Sequence, residues 1–138
     1  MIYLPDTSTV SLLLRAERNP EVIERYAQAE AAGSDLILCP VVVYEVRRGL
    51  EYRDATRQRA DLELIERAWE WDELERGDWL VAARFWAQRR AEGRSTNDAD
   101  LLIAAHATRL EATIVTCNLR HFEGLGVAME DWKANIPR

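Results

Sequence analysis

Lysine is almost absent from this chain: Lys133 is the only one, and every other basic residue is arginine. A site that works through lysine would have to recruit it from the C-terminal tail. Cysteine and histidine are equally scarce, with two of each, Cys39 and Cys117, His106 and His121. Their spacing matches no zinc site, and two cysteines make no disulfide framework. They read as small buried side chains in a reducing, cytoplasmic setting. No apolar run approaches the length of a membrane span, and Pro5-Asp6 arrives too early for a signal peptide, so a membrane location is not expected. There is no excess of positive charge either. The formal net charge is −6, which does not by itself advertise nucleic-acid binding. Arginine does grip phosphates bidentately, although a genome rich in G and C would produce the same preference. Repeats, linkers and low-complexity segments are missing.

What remains is an ordinary globular composition, 48% hydrophobic and 30% charged. At 138 residues the chain has room for one well-formed core, and it reads as a single domain over residues 1–138.

The stretch Asn97-Asp98-Ala99-Asp100-Leu101-Leu102-Ile103-Ala104-Ala105-His106-Ala107 organises the rest. Asn97 is a suitable helix N-cap, and the run from Leu101 to Ala107 is apolar almost all round, as in a helix buried on every side. Asp100 interrupts that design, and a buried carboxylate needs a partner. The helix dipole compensates only in part, so a cation is the fuller answer. Asp98 cannot share that role while helical, because two residues turn a side chain by about 200°. It reads as a first-turn charge on the helix dipole.

Elsewhere the chain alternates strands and helices. Ile2-Tyr3-Leu4 is a buried strand ending at Asp6, which serves either as a ligand at the strand end or as the cap of the helix over Thr7–Leu14. Asn19-Pro20-Glu21 starts a helix that stops at Gly33. Leu36–Cys39 is a second strand, and Val41–Leu50 a helix carrying Glu45, whose plain role is local pairing with Arg48. A further helix ends near Trp69. Asp72-Glu73-Leu74-Glu75 has the pattern of a capped helix start, and the helix after it ends at Gly93. Trp69, Trp71, Trp79 and Trp86 are more than one small core readily hides, and they read either as core packing under the sheet or as partly an interface. Ala112–Thr116 is a third strand with Asn118 at its end, and Val127–Met129 a last one. This order predicts an α/β fold, a parallel sheet of about four to five strands flanked by helices in three layers.

Asp6, Glu45, Asp100 and Asn118 all fall at strand ends or in first turns of following helices, which a parallel sheet gathers along one edge. Carboxylates about 4 Å apart repel by ~4 kcal/mol at an effective dielectric of 20. Protonation or a divalent cation relieves this, and oxygen donors favour Mg²⁺ or Mn²⁺.

Leu4-Pro5-Asp6-Thr7-Ser8, Tyr44-Glu45, Asp100 to Ala107, and Thr116-Cys117-Asn118-Leu119-Arg120-His121-Phe122 together resemble the PIN domain, in particular VapC-type toxins of toxin–antitoxin pairs. The resemblance covers nearly the whole chain. It implies a Mg²⁺-dependent endoribonuclease that cuts RNA, is inhibited by a cognate antitoxin and works as a homodimer. Asp6, Glu45 and Asp100 match the acidic metal-site residues, and Asn118 the position where the family has Asp or Asn. The alternatives are a catalytically silent binding module with the same fold, and a receiver-like phosphoacceptor domain, which the missing site lysine disfavours.

Overall fold

The computed structural model describes residues 1–134. Five strands form one parallel sheet: β1 (Ile2–Pro5), β2 (Asp35–Leu38), β3 (Glu70–Trp71), β4 (Thr113–Val115) and β5 (Ala128–Glu130), in the order β3-β2-β1-β4-β5. Six helices flank it: α1 (Thr7–Leu13), α2 (Pro20–Ala31), α3 (Pro40–Tyr52), α4 (Thr56–Ala68), α5 (Arg76–Ala91) and α6 (Asp98–Leu110). The expected architecture is present.

Strands covered by helices on both faces need apolar residues at consecutive positions, not alternating ones. Leu36, Ile37 and Leu38 are accordingly all buried, as are Leu4, Ile114 and Val115 in the neighbouring strands. Pro5 ends the central strand without breaking the ladder. Asp6 N–H donates to Val115 O, so the N–H that Pro5 lacks would face β2, whose register with β1 ends at Tyr3 and Leu36.

The helix starts follow local rules. Pro20 and Pro40 occupy the first positions of α2 and α3, where a missing N–H costs nothing. Gly33 and Gly93 take positive φ just past α2 and α5, as read from the sequence. One boundary differs. The helix expected to start at Asp72 begins at Arg76, with Glu75 as its cap and Asp78 Oδ2 accepting the Glu75 N–H at 2.9 Å. Asp72 is engaged elsewhere, bound by His106 Nε2 at 2.7 Å and Arg109 Nη2 at 2.8 Å. The residues before it form β3, whose two exposed side chains give no apolar signal.

The tryptophans divide. Trp69 is buried, with its indole N–H on the Tyr26 hydroxyl, whereas Trp71, Trp79 and Trp86 are about half exposed. Phe122 is fully buried and anchors the loop after β4 as expected, and Trp132 closes the core beside Tyr3 and Tyr26.

The chain builds β1, β2 and β3 outward on one side, then returns to add β4 and β5 on the other. The reversal falls between β1 and β4. In open parallel sheets that switch point leaves a crevice at the carboxyl ends of the strands. Asp6 follows β1 there, and Thr116, Cys117 and Asn118 follow β4.

Candidate metal centre

Asp6 is 4% exposed. It caps α1, with Oδ1 accepting the Thr9 N–H at 3.0 Å, and it stands at the switch point. Three hydroxyls in a row hold this corner. Thr7 Oγ1 donates to Glu45 Oε1 at 2.5 Å, Ser8 Oγ to Asp6 Oδ1 at 2.6 Å, and Thr9 Oγ1 to Val115 O at 2.8 Å. Ser8 Oγ also accepts the Cys117 N–H, which ties the ends of β1 and β4 together, and the buried Thr116 hydroxyl works to lower the Asp6 carboxyl.

Glu45 reaches the same corner from α3, 38 positions away from Thr7. Its second oxygen lies 3.7 Å from Arg48, so the expected local pairing exists beside the long-range contact. Asp100 is the third helical residue of α6. Asn97 caps that helix by accepting the Asp100 N–H at 2.9 Å, and its amide donates to Asp100 Oδ2 at 3.1 Å. His121 Nδ1 lies 3.0 Å from the same oxygen. Asp98, one helix face away, is exposed, as the rotation argument required.

Asp6, Glu45 and Asp100 thus converge from three elements and repel one another. Burial raises the Asp100 carboxyl above the ordinary carboxylate value; His121 pulls it back, while Asp6 and Glu45 push it further up. Burial likewise raises Asp6, against the hydrogen bonds of Ser8, Thr116 and Thr9. Asn118 stands nearby but is exposed, and its side chain makes no hydrogen bond among the described residues; its N–H bonds Thr116 Oγ1. Sequence reasoning missed Thr7, Ser8, Thr116 and His121 as members of the site. The signal available was the run of hydroxyls after Asp6 and the histidine three residues beyond Asn118.

The donor set is all oxygen, partly desolvated and electrostatically unsatisfied, which fits a hard divalent cation such as Mg²⁺ or Mn²⁺. Among the described residues no three acids are drawn close enough to form a ready-made cage. Thr7 holds Glu45 and His121 holds Asp100, so an ion bound here would compete with these contacts.

The family model described as the PIN domain matches residues 3–126. The chain belongs to the PIN domain family. Solved PIN-fold relatives superpose over nearly the whole chain. VapBC2 from Rickettsia felis, bound to a DNA fragment from its promoter, has a TM-score of 0.85 at 19% identity, covering 96% of this chain and 99% of that one. VapBC-1 from nontypeable Haemophilus influenzae gives 0.80 at 23%, covering 97% and 100%. FitAcB from Neisseria gonorrhoeae gives 0.77 at 22%, covering 96% and 98%. At these identities the likeness establishes the fold. No curated protein matches the chain in sequence.

The acidic corner of this PIN domain sets a pH dependence. In an unfolded chain Asp6 and Asp100 would ionise near 3.8, whereas the folded metal-free chain keeps them protonated to higher pH. The folded state therefore binds more protons above that value, and stability falls as pH rises through the interval. Asp72 acts in the opposite sense. Burial raises it, but His106 and Arg109 outweigh burial and leave it low, so its contribution is lost as pH falls below 3.8. With EDTA present, the melting temperature should decline as pH climbs above the ordinary carboxylate range, and Asp6→Asn should flatten the decline. A wild-type profile that rises through that range instead would contradict the repelling cluster.

Proposed function

We propose that this chain is a metal-dependent endoribonuclease, the VapC-type toxin of a toxin–antitoxin pair, with residues 1–138 forming its single nuclease domain. The observation that carries this reading is the convergence of Asp6, Glu45 and Asp100 at the switch point, where the charges of Asp6 and Glu45 both push the Asp100 carboxyl up. Mg²⁺ or Mn²⁺ would be held by these three, with Asn118 supplying a neutral oxygen at the rim. When bound, such an ion lowers the pKa of a water and offsets charge on a phosphoryl group during in-line displacement.

The protein's own groups have distinct tasks. Ser8 and Thr9 fix the Asp6 carboxyl, so it presents one orientation. Thr7 holds Glu45 toward the corner, and Asn97 sets Asp100 against the start of α6. His121 Nδ1, 3.0 Å from Asp100 Oδ2, holds that carboxyl from the other side.

For partners, one solved structure similar to this chain, from Klebsiella pneumoniae, is described as a toxin–antitoxin complex, and another, VapBC-5 from Mycobacterium tuberculosis, as a member of the VapBC family of toxin–antitoxin systems. In this chain a cavity of about 620 Å³ beside the acids, lined by Tyr44, Leu74, Trp79 and Leu102 with Glu45 and Asp98, suits an antitoxin tail bringing apolar anchors and an arginine. The exposed Trp71 and Trp86 suit a second copy of the chain in a homodimer. Among the described residues no helix is long and apolar enough to cross a membrane, and we place the protein in the cytoplasm.

The purified chain should cleave RNA with Mg²⁺ or Mn²⁺, stop in EDTA, and be silenced by the product of an adjacent gene for a small DNA-binding protein. The loosely gathered carboxylates favour one other reading, a PIN fold that binds without catalysis. RNA that is bound but left intact at saturating metal would select it.

A further inference from the structure

A second cavity, of about 160 Å³, lies on the far side of Asp100. It is bounded by the C-terminal end of α5, the loop into α6 and the 3₁₀ turn Leu119–His121, and its walls include Arg89, Arg94, Arg120 and His121. Arg89 is 2% exposed, and its Nη2 donates to the carbonyls of His121 at 3.1 Å and Glu123 at 2.6 Å. Its Nε is buried without a hydrogen-bond partner. Arg94 spends its guanidinium the same way, on the carbonyls of Arg120 at 3.2 Å and Glu123 at 3.4 Å. Arg120 is exposed, and its side chain contacts no acceptor among the described residues. None of these three arginines forms an ion pair among the described residues. Asp100 is the one acid in the cavity wall, and it already faces His121; Glu92 and Glu123 act on Arg89 only from outside.

Two guanidinium groups balanced only by carbonyl dipoles, with a third that contacts no acceptor among the described residues, leave a concentrated positive field, strengthened at its floor by the N-terminus of α6. The ligand such a field selects is an anion with several acceptor oxygens, and planar guanidinium matches phosphate. No aromatic ring other than the His121 imidazole lines the cavity, so it offers no platform for a base. Asp100 is a wall of both this cavity and the acidic corner. The two sites are therefore adjacent, and a strand with one phosphate at the corner would have its next phosphate close to the cavity. We propose that this cavity is a backbone-phosphate subsite for single-stranded RNA, in which Arg120 and Arg94 hold the phosphate adjacent to the scissile one and buried Arg89 supports the turn that presents them. The inference rests on the ribonuclease reading above and names how that site grips its substrate.

Arg120→Gln is the clean test, because this side chain supports no other contact. Binding of a labelled single-stranded RNA oligonucleotide to the full chain in EDTA should weaken by on the order of tenfold, and the slope of log affinity against log salt should shrink by about 0.7, one phosphate contact. Arg120→Lys should recover part of the loss, as a point charge without the fork. In cleavage with Mn²⁺, the loss should fall on KM more than on kcat. A scan of single neutral methylphosphonate linkages should find one position where wild type and Arg120→Gln become equal. Unchanged affinity and salt slope, or a loss that no single linkage abolishes, would overturn the subsite. So would inorganic phosphate binding at the cavity with RNA affinity indifferent to Arg120. Arg120-dependent binding by a wild type that cleaves nothing supports the subsite and sinks the ribonuclease reading, so the two fail separately.

Discussion

Asp100→Asn is expected to lower metal-dependent RNA cleavage by well over the 10- to 100-fold, roughly, that follows loss of a group merely supporting a metal ligand. The amide keeps the shape and can still accept from Asn97, so the helix start survives. What disappears is a charged oxygen of α6 beside the Asp6 corner. Without metal the variant should be as stable as wild type or more so, because one repelling carboxylate is gone. With metal the order reverses. An ion that binds only the folded chain stabilises it by mass action, about 2.7 kcal/mol at a hundred times its dissociation constant, or roughly 5 to 10 °C in melting temperature for a chain of this size. Wild type should show that rise and Asp100→Asn should not. Asp98→Asn is the control: its side chain is exposed, and its loss should cost about 0.3 to 1 kcal/mol of dipole interaction with cleavage retained. Asn118→Asp should tighten metal binding modestly, less than Asp100→Asn weakens it. Cleavage abolished by the Asp98 change and spared by the Asp100 change would mean that the helix faces are assigned the wrong way round.

Arg109→Leu should destabilise the fold by about 3 to 5 kcal/mol, the usual consequence of removing one partner from a buried ion pair. Arg109 stands in the last turn of α6, at the opposite end from Asp100. Its Nε donates to both oxygens of Asp78, at 3.0 and 3.1 Å, while Nη2 reaches Asp72 at 2.8 Å and the carbonyl of Glu73 at 2.9 Å. These bonds, Asp78 foremost, hold the guanidinium well above its ordinary range. Asp78 is 1% exposed and pairs with no other cation among the described residues, so the truncation strands a desolvated charge. His106, one turn earlier on α6, binds Asp72 from a ring that is completely buried. The same clamp therefore joins β3, the start of α5 and the end of α6. Urea denaturation measures the loss. Adding Asp78→Asn to Arg109→Leu should recover part of it, since the stranded charge is then removed. A single-variant loss below about 1 kcal/mol would show that water solvates Asp78 after all.

Local chemistry made much of this protein legible from its sequence. Buried parallel strands are runs of consecutive apolar residues, so Leu36–Leu38 and the strand ahead of Asp6 stood out, as did proline and glycine at the helix boundaries. The buried helix behind Asn97 and the outward face of Asp98 follow from a period of 3.6 residues, which needs no tertiary information. The order of strands and helices was enough to place Asp6, Glu45 and Asp100 near one sheet edge, because parallel topology brings strand ends together. Tertiary structure decided the rest. Glu70 and Trp71 form a strand only because β2 offers them a free edge, so no local pattern marks them. Asp72 looks like a helix cap until His106 and Arg109, 34 and 37 residues away, claim its carboxylate. Asn118 and Thr116 both follow β4, and the fold turned the threonine onto Asp6 and left the asparagine at the surface. His121 became the partner of Asp100 because buried Arg89 pulls the turn carrying it inward by two carbonyls. Period and propensity act between near neighbours, whereas a hydrogen bond or a charge pair depends on distance in space, which only the folded chain sets.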